Sequence, residues 1–387
     1  MSAPVIVDVD LRDPRPQISR RASQVRAVVW WGDRLLGETV VMGSRTWALM
    51  REELFEQFRE RVAAIGWVPA HTGKPGTVTA ADVTVIVCSR ERPDLLVGCL
   101  NAVRDLDPAP AEVVVVDNAP TTRRTAEVAE QFGARRIVEP SAGLSHARNA
   151  GWRAAETSVV AFTDDDARPH ARWVGALCEG FVAREVGCVT GLIVAGELAT
   201  PAQRIFEANG GMGKGYVPRL FSAETVGLQS FRIGAGANMA FSRSALERIG
   251  GFDVRLGPGR PTRGGDDLDA FIRVLAAGSV AVYQPDAVVR HLHRRDVLSL
   301  ARQYRDNGTG YAALLRKIEI EGGSMAAAAL RERARWRRQR HVRALARAVK
   351  QRDRGQLLEL VAEIAGSRHG KSAFEAERVL SGGGPHA

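Results

Sequence analysis

The sequence predicts an α/β protein built on a mostly parallel, helix-covered sheet, preceded by a small N-terminal α+β region and followed by a helical C-terminal extension. Three observations carry this prediction. The apolar runs VTVIV (83–87), VVVV (113–116) and VVAFT (159–163) read as buried strands. Between the first two, Leu95, Leu96, Cys99, Leu100, Val103 and Leu106 trace one face at helical spacing. Polar residues fall at the ends of the runs, which is where such a sheet presents ligand-binding groups.

The elements follow in chain order. Residues 1–20 mix Pro, Asp and Arg without periodicity and read as a disordered tail. Residues 21–71 read as an accessory unit: VRAVVWW and RLLGETVV flank Gly32-Asp33 as a hairpin, and Leu49, Leu54, Phe58, Val62 and Ile65 then form an apolar helix face. The Gly, Pro and Thr content of residues 72–80 marks a linker. Residues 81–315 form the main domain, in which Thr121–Phe132 and Ser145–Ala155 read as helices and Arg136–Val138 as a short strand. Residues 316–387 read as a basic helical extension.

Composition bounds the function. A chain of 387 residues, at about 150 per domain, holds two or three units. Apolar residues make up 45% and charged residues 25%, a globular composition. No apolar run approaches the ~20 residues that span a bilayer, and the N-terminus lacks the apolar core of a secretory signal, so a cytoplasmic location is expected. Cys88, Cys99, Cys178 and Cys188 form no C-x-x-C pair and read as small buried hydrophobes. The net charge of +10 is concentrated between Arg331 and Arg354, which suits an acidic partner, such as the inner face of a membrane touched peripherally. No nucleic-acid reading motif accompanies it.

The chemistry lies at the strand ends. Ser89 and Arg90 follow the first strand, Asp117 and Asn118 end the second, and Asp164, Asp165 and Asp166 end the third of the runs. A lone acid such as Asp117 reads equally as a partner for a ribose or base and as a turn or helix cap. Three consecutive aspartates say more, because their mutual repulsion is most simply offset by a hard divalent cation, Mg²⁺ or Mn²⁺. Arg148 lies in a segment where a permissive glycine runs into a helix start, a site for an anion, although a plain surface arginine fits the same pattern. Asp266 and Asp267 suit a helix N-cap as well as catalysis. Trp173 reads as core, and the glycines of Gly234–Asn238 read as close backbone approach to a substrate or as a flexible turn.

Seven segments occur in order: VTVIVCSRERP, VVVVDN, GLSHARNAG, FTDDDARP, GANMAFSRSALERIGGFD, GGDDLDAFIRVLAAG and VVRHLH. Over roughly residues 83–315 they resemble the inverting glycosyltransferase family 2, whose members share the Rossmann-like GT-A (nucleotide-diphospho-sugar transferase) fold and a D-x-D signature. The resemblance implies transfer of a sugar from a nucleoside-diphosphate sugar, UDP favoured, to a hydroxyl acceptor that is a glycan, a lipid-linked molecule or a small molecule. It implies that Ser89, Arg90, Asp117, Arg148, Asp164 and Asp165 bind the nucleotide-sugar and that Asp166 and His291 hold Mn²⁺ or Mg²⁺, with His293 the competitor of His291. Asp267 is then the general base, and Asp266, standing where the family usually has glutamate, is the neighbour that could take its place. Acceptor contacts are expected from the variable stretch Leu198–Ile233, whose GGMGKG run, with Lys214, lacks the phosphate-loop pattern.

Two other readings compete. A sugar nucleotidyltransferase would want a Gly-rich basic loop after its first strand, where this chain has SRERP without glycine. An inert binding scaffold would keep the fold without turnover.

Overall fold

The computed structural model describes residues 4–13, 24–42, 47–65 and 78–380. Near the N-terminus, β1 (Val5–Asp10), β2 (Gln24–Trp31) and β3 (Arg34–Met42) form a three-stranded sheet. The hairpin β2–β3 is antiparallel and turns at Gly32-Asp33, where Gly32 has φ 65°. Part of the expected disordered tail is instead ordered: β1 pairs in parallel with β2 from Val5↔Val25 to Asp10↔Trp30. Its alternation explains this, since Val9 faces the buried side while Asp8 accepts a hydrogen bond from Trp30 Nε1. The helix Trp47–Ile65 covers the sheet, with Met50, Leu54 and Phe58 packed on Val25, Ala27, Val29 and Leu36. The side chains of Leu49 and Ile65, expected on the same face, lie outside the described residues, as do residues 72–77 of the expected linker.

The large sheet comprises β4 (Val83–Ser89), β5 (Glu112–Asn118), β6 (Arg135–Glu139), β7 (Val159–Asp164), β8 (Ala167–Pro169), β9 (Val186–Ala195), β10 (Arg219–Phe221), β11 (Asn238–Ser242) and β12 (Val280–His291). Its order is β10-β12-β9-β11-β7-β4-β5-β6, with β8 paired to β12. The run β7-β4-β5-β6 is wholly parallel, whereas β11 is antiparallel to both β7 and β9. Strand alternation builds two cores from one sheet. Ile86, Val114, Val116 and Phe162 pack with Phe241, Phe252 and Phe271 on one face, while Val85, Val87, Val115 and Ala161 pack with Leu96, Leu100 and Trp173 on the other. Trp173 is fully buried, as its apolar setting implies, and donates from Nε1 to Asn238. All four cysteines are free thiols, and burial pushes Cys88 and Cys178 up to about 12.

The accessory sheet docks on this domain through apolar residues, Val28, Trp30 and Leu35, that join its core, and through polar contacts. Trp30 stacks on His170 at 4.3 Å, Arg34 pairs with Glu179 and Asp286, and Arg26 pairs with Glu207. On the other side, the chain turns helical at the Asp296 cap and continues through Val297–Glu321, so the expected boundary at residue 315 falls inside one helix. Helices Ala326–Trp336 and Leu345–Gln351 are joined by a π-helical segment, Arg337–Ala344, and Arg354–Leu380 packs back along Val297–Glu321. Three arginines of the basic run pair within the fold: Arg333 with Glu319, Arg335 with Glu332, and Arg340 with Glu359 and Glu363. Among the described residues no helix is long and apolar enough to cross a membrane.

A buried ionic network ties these helices to the sheet domain. Arg255 pairs with Asp253 and Glu321, and Lys317 pairs with Asp253 and Asp269. Because Asp253 and Arg255 are both fully buried, Arg255→Met should strand buried carboxylate charge and lower the unfolding free energy by about 3 kcal/mol or more, as measured by urea denaturation. A loss near zero would mean that Lys317 alone satisfies Asp253.

Candidate active site

Register brings the polar strand ends together. Ser89 pairs with Asp117 across β4–β5, and Cys88 pairs with Asp164 across β4–β7, so the three strands end at one edge. From the far side of the sheet, β12 runs antiparallel to β8 with His291 opposite Ala167, and Leu292 N–H donates to the Asp166 carbonyl. That pairing sets His291 against the aspartate turn. One ligand atom each from Asp164, Asp166 and His291 lies within 4.8 Å of the others, and His291 Nε2 stands 3.2 Å from Asp166 Oδ1. Two carboxylates and an imidazole form an oxygen and nitrogen donor set that fits a divalent cation.

The central aspartate has a different task. Asp165 accepts from Ser89 Oγ at 2.8 Å and from Arg92 at 2.6 Å, while the other arm of Arg92 reaches Asp166 at 2.7 Å. Burial, then the Asp166 charge, pushes the Asp165 carboxyl up to about 7 despite Arg92. Burial would raise Asp166 as well, but His291 and Arg92 outweigh it and hold that carboxyl well below the usual range. His293 turns away from the cluster: its Nε2 lies 2.9 Å from Glu207, and its Nδ1 lies 3.3 Å from Nδ1 of His291. Burial and the neighbouring His291 lower the His293 pKa, although Glu207 opposes them.

Arg148 is aimed by its helix, Leu144–Ala154. Asn149 fixes that helix by accepting from Phe252 N–H and donating to the Phe252 carbonyl, and Asn118 accepts from Gly143 N–H at the helix start. The Arg148 guanidinium is buried, pairs with Asp266 and lies 3.6 Å from Asp164. Gly236 permits this, because a Cβ there would meet Arg148 at 2.4 Å. Asp267 stands at the start of the helix Asp266–Ala276 and accepts from the backbone N–H groups of Gly236 and Leu268, each at 2.8 Å.

Two cavities adjoin here. One of about 630 Å³ is lined by Ser89, Arg90, Arg92, Asp165, Asp166 and His291. The other, about 760 Å³, is lined by Arg148, Asp266 and Asp267, by Phe206, Met212, Lys214 and Phe231 from the variable stretch, and by Tyr311 and Trp336 from the C-terminal helices. Asp164 and Arg263 line both. The expected site residues therefore gather at one place, with one exception. Asp117, expected against the nucleoside, lines neither cavity: it is fully buried and its Oδ2 accepts from Arg136 of the adjacent strand, although Oδ1 has no partner. Sequence reasoning missed Arg92, Glu207 and the C-terminal aromatic wall. Only Arg92 had a local signal, two residues beyond Arg90 in the loop after β4.

Residues 84–250 match the family described as Glycosyl transferase family 2. Over these 167 of its 387 residues the chain is similar to family 2 glycosyltransferases. Its curated relatives include the pre-mycofactocin glycosyltransferase of Mycobacterium tuberculosis, strains CDC 1551 / Oshkosh and H37Rv. Each is 27% identical over 273 residues, which cover 67% of this chain and 54% of the relative. The chain thus spans about half the length of the curated relatives it matches. Among solved structures, a mannosyltransferase from Pyrobaculum calidifontis in complex with GDP-Man and Mn²⁺ is 19% identical, with a TM-score of 0.49 over 82% of this chain and 96% of that one. Glucosyl-3-phosphoglycerate synthase from M. tuberculosis, in complex with Mn²⁺, UDP and glucosyl-3-phosphoglycerate, is 18% identical, with a TM-score of 0.43 over 63% and 85%. The similarity rests on the sequence match, which takes in β4 from Thr84 onward, the aspartate turn and β11.

Proposed function

We propose that the chain is a metal-dependent, inverting glycosyltransferase that moves a sugar from a nucleoside-diphosphate sugar, UDP favoured, to a hydroxyl acceptor. One observation carries this reading: the cation-ligand cluster and the Asp267 carboxylate face two adjoining cavities that share Asp164 and Arg263. A donor in the first cavity and an acceptor in the second would meet between them. Ser89 and Arg90 are the groups for the nucleoside, Asp164 for the ribose, and Asp165 holds Ser89 and Arg92 in place. Arg148, the only guanidinium buried beside Asp164 among the described residues, is set to meet the diphosphate.

Asp166 and His291, with Asp164 beside them, would hold Mn²⁺ or Mg²⁺. Such a cation, when bound, offsets the charge that develops on a departing diphosphate. Asp267 removes the proton of the acceptor hydroxyl as its oxygen attacks the anomeric carbon from the face opposite the leaving group, which inverts the configuration. Asp266 supports this by balancing the buried charge of Arg148.

The test is a thermal-shift series of the full chain with UDP, GDP, dTDP and ADP, each with and without Mn²⁺. Selective binding raises the melting temperature by mass action, with about 2.7 kcal/mol of added stability at a hundredfold excess over Kd. The expected result is a shift with one nucleoside diphosphate, UDP first, that requires Mn²⁺. A protein indifferent to all of them would be a scaffold of this fold and not an enzyme.

A further inference from the structure

A line of hydrogen bonds runs from the accessory sheet to the cation cluster. Arg26 of β2 donates to Glu207 at 2.9 Å, Glu207 faces His293 Nε2 at 2.9 Å, His293 Nδ1 faces His291 Nδ1 at 3.3 Å, and His291 Nε2 faces Asp166 at 3.2 Å. Each link restricts the next. Glu207, paired with Arg26, is an ionised carboxylate and can only accept, so the hydrogen between it and His293 belongs to Nε2 of His293. A neutral His293 then offers Nδ1 as a lone pair. The hydrogen between the two Nδ1 atoms therefore belongs to His291, and the remaining nitrogen of His291, Nε2, is the one that faces Asp166. His291 Nε2 would hold a cation there in exchange for its proton, while the Nδ1–H bond to His293 keeps the ring oriented.

We propose that Glu207, held by Arg26 from the accessory sheet, is a positioning residue for the cation site and acts through His293 to present His291 Nε2 as a ligand. The accessory sheet lies outside the residues that match the family, so part of the control over the site comes from a separately built unit. The side chains are confined enough for this role. Phe206 packs edge-on against the His293 ring at 4.6 Å, and a Cβ on Gly211 would meet Glu207 Oε1 at 2.5 Å. The inference rests on the cation reading of Asp164, Asp166 and His291.

The experiment titrates Mn²⁺ into the full chain and follows the free-ion electron paramagnetic resonance signal, with no turnover needed. Glu207→Ala should weaken Mn²⁺ binding about 10–100-fold, the usual effect of losing a group that orients a metal-bound histidine. Glu207→Gln, which can still accept from His293, should recover part of that loss. Arg34→Ala is the control: it loosens the accessory sheet at Glu179 and Asp286 and leaves the line intact, so it should bind Mn²⁺ as the parent does. In parallel, nitrogen NMR of the metal-free protein should place the His293 proton on Nε2, and Glu207→Ala should shift that signature. Equal Mn²⁺ affinity in the parent and in a folded Glu207→Ala, or a His293 proton on Nδ1, would overturn the proposal. If the parent binds no Mn²⁺, the cation reading falls, and the NMR signature still decides whether the hydrogen-bond line exists.

Discussion

Asp166→Ala should lower sugar transfer by at least ~100-fold, which is roughly 2.7 kcal/mol of transition-state stabilisation. The size follows from position. Asp166 is buried, faces His291 at 3.2 Å and takes one arm of Arg92, so its carboxylate is the most strongly ionised group in the cluster. On the proposed reading its removal subtracts a cation ligand, and it leaves Arg92 held by Asp165. Asp166→Asn is the companion variant, because its amide oxygen can still accept from Arg92 while its charge is gone. Both should lose the Mn²⁺-dependent part of the thermal shift, which separates cation loss from general damage. If Asp166→Asn transferred sugar at the parental rate with Mn²⁺ present, the cation would have to be held elsewhere.

How far such roles can be read from sequence depends on the range of the interaction. The strands β4, β5 and β7 were legible because continuous apolar runs are buried on both faces, and the hairpin β2–β3 because its turn residues stand between two β-rich runs. The aspartate turn was legible because three adjacent acids are costly without compensation. β1 was not, since Asp8 and Asp10 interrupt its apolar pattern and their compensation comes from Trp30, Arg290 and the turn at Gly32. The same limit hid the partner of His293: Glu207 lies 86 residues away in the chain, and nothing local to either residue marks the pairing. The aromatic wall was illegible for a further reason, because Tyr311 and Trp336 sit on C-terminal helices and meet the cavity only through the packing of those helices.

Asp267→Asn should leave donor binding intact and lower transfer at least ~100-fold, the contribution of a positioned general base. The geometry separates this residue from its neighbour. Among the described residues Asp267 is hydrogen-bonded by two backbone N–H groups, from Gly236 and Leu268, and it lines the other cavity from Asp166 and His291, the proposed cation ligands. An asparagine there can keep one of those bonds, so the fold and the Arg148 pair should survive. Asp266 is buried against the Arg148 guanidinium, and burial followed by the Asp267 charge raises its carboxyl although Arg148 opposes them. Asp266→Asn should therefore strand the Arg148 charge beside Asp164, with losses in nucleotide affinity and melting temperature as well as in rate. The two variants divide by where the loss appears. For Asp267→Asn it should fall on kcat at saturating donor, and for Asp266→Asn on stability and donor binding. A pure kcat loss in Asp266→Asn, with normal turnover in Asp267→Asn, would move the base to Asp266 and would require Arg148 to release it when the donor binds.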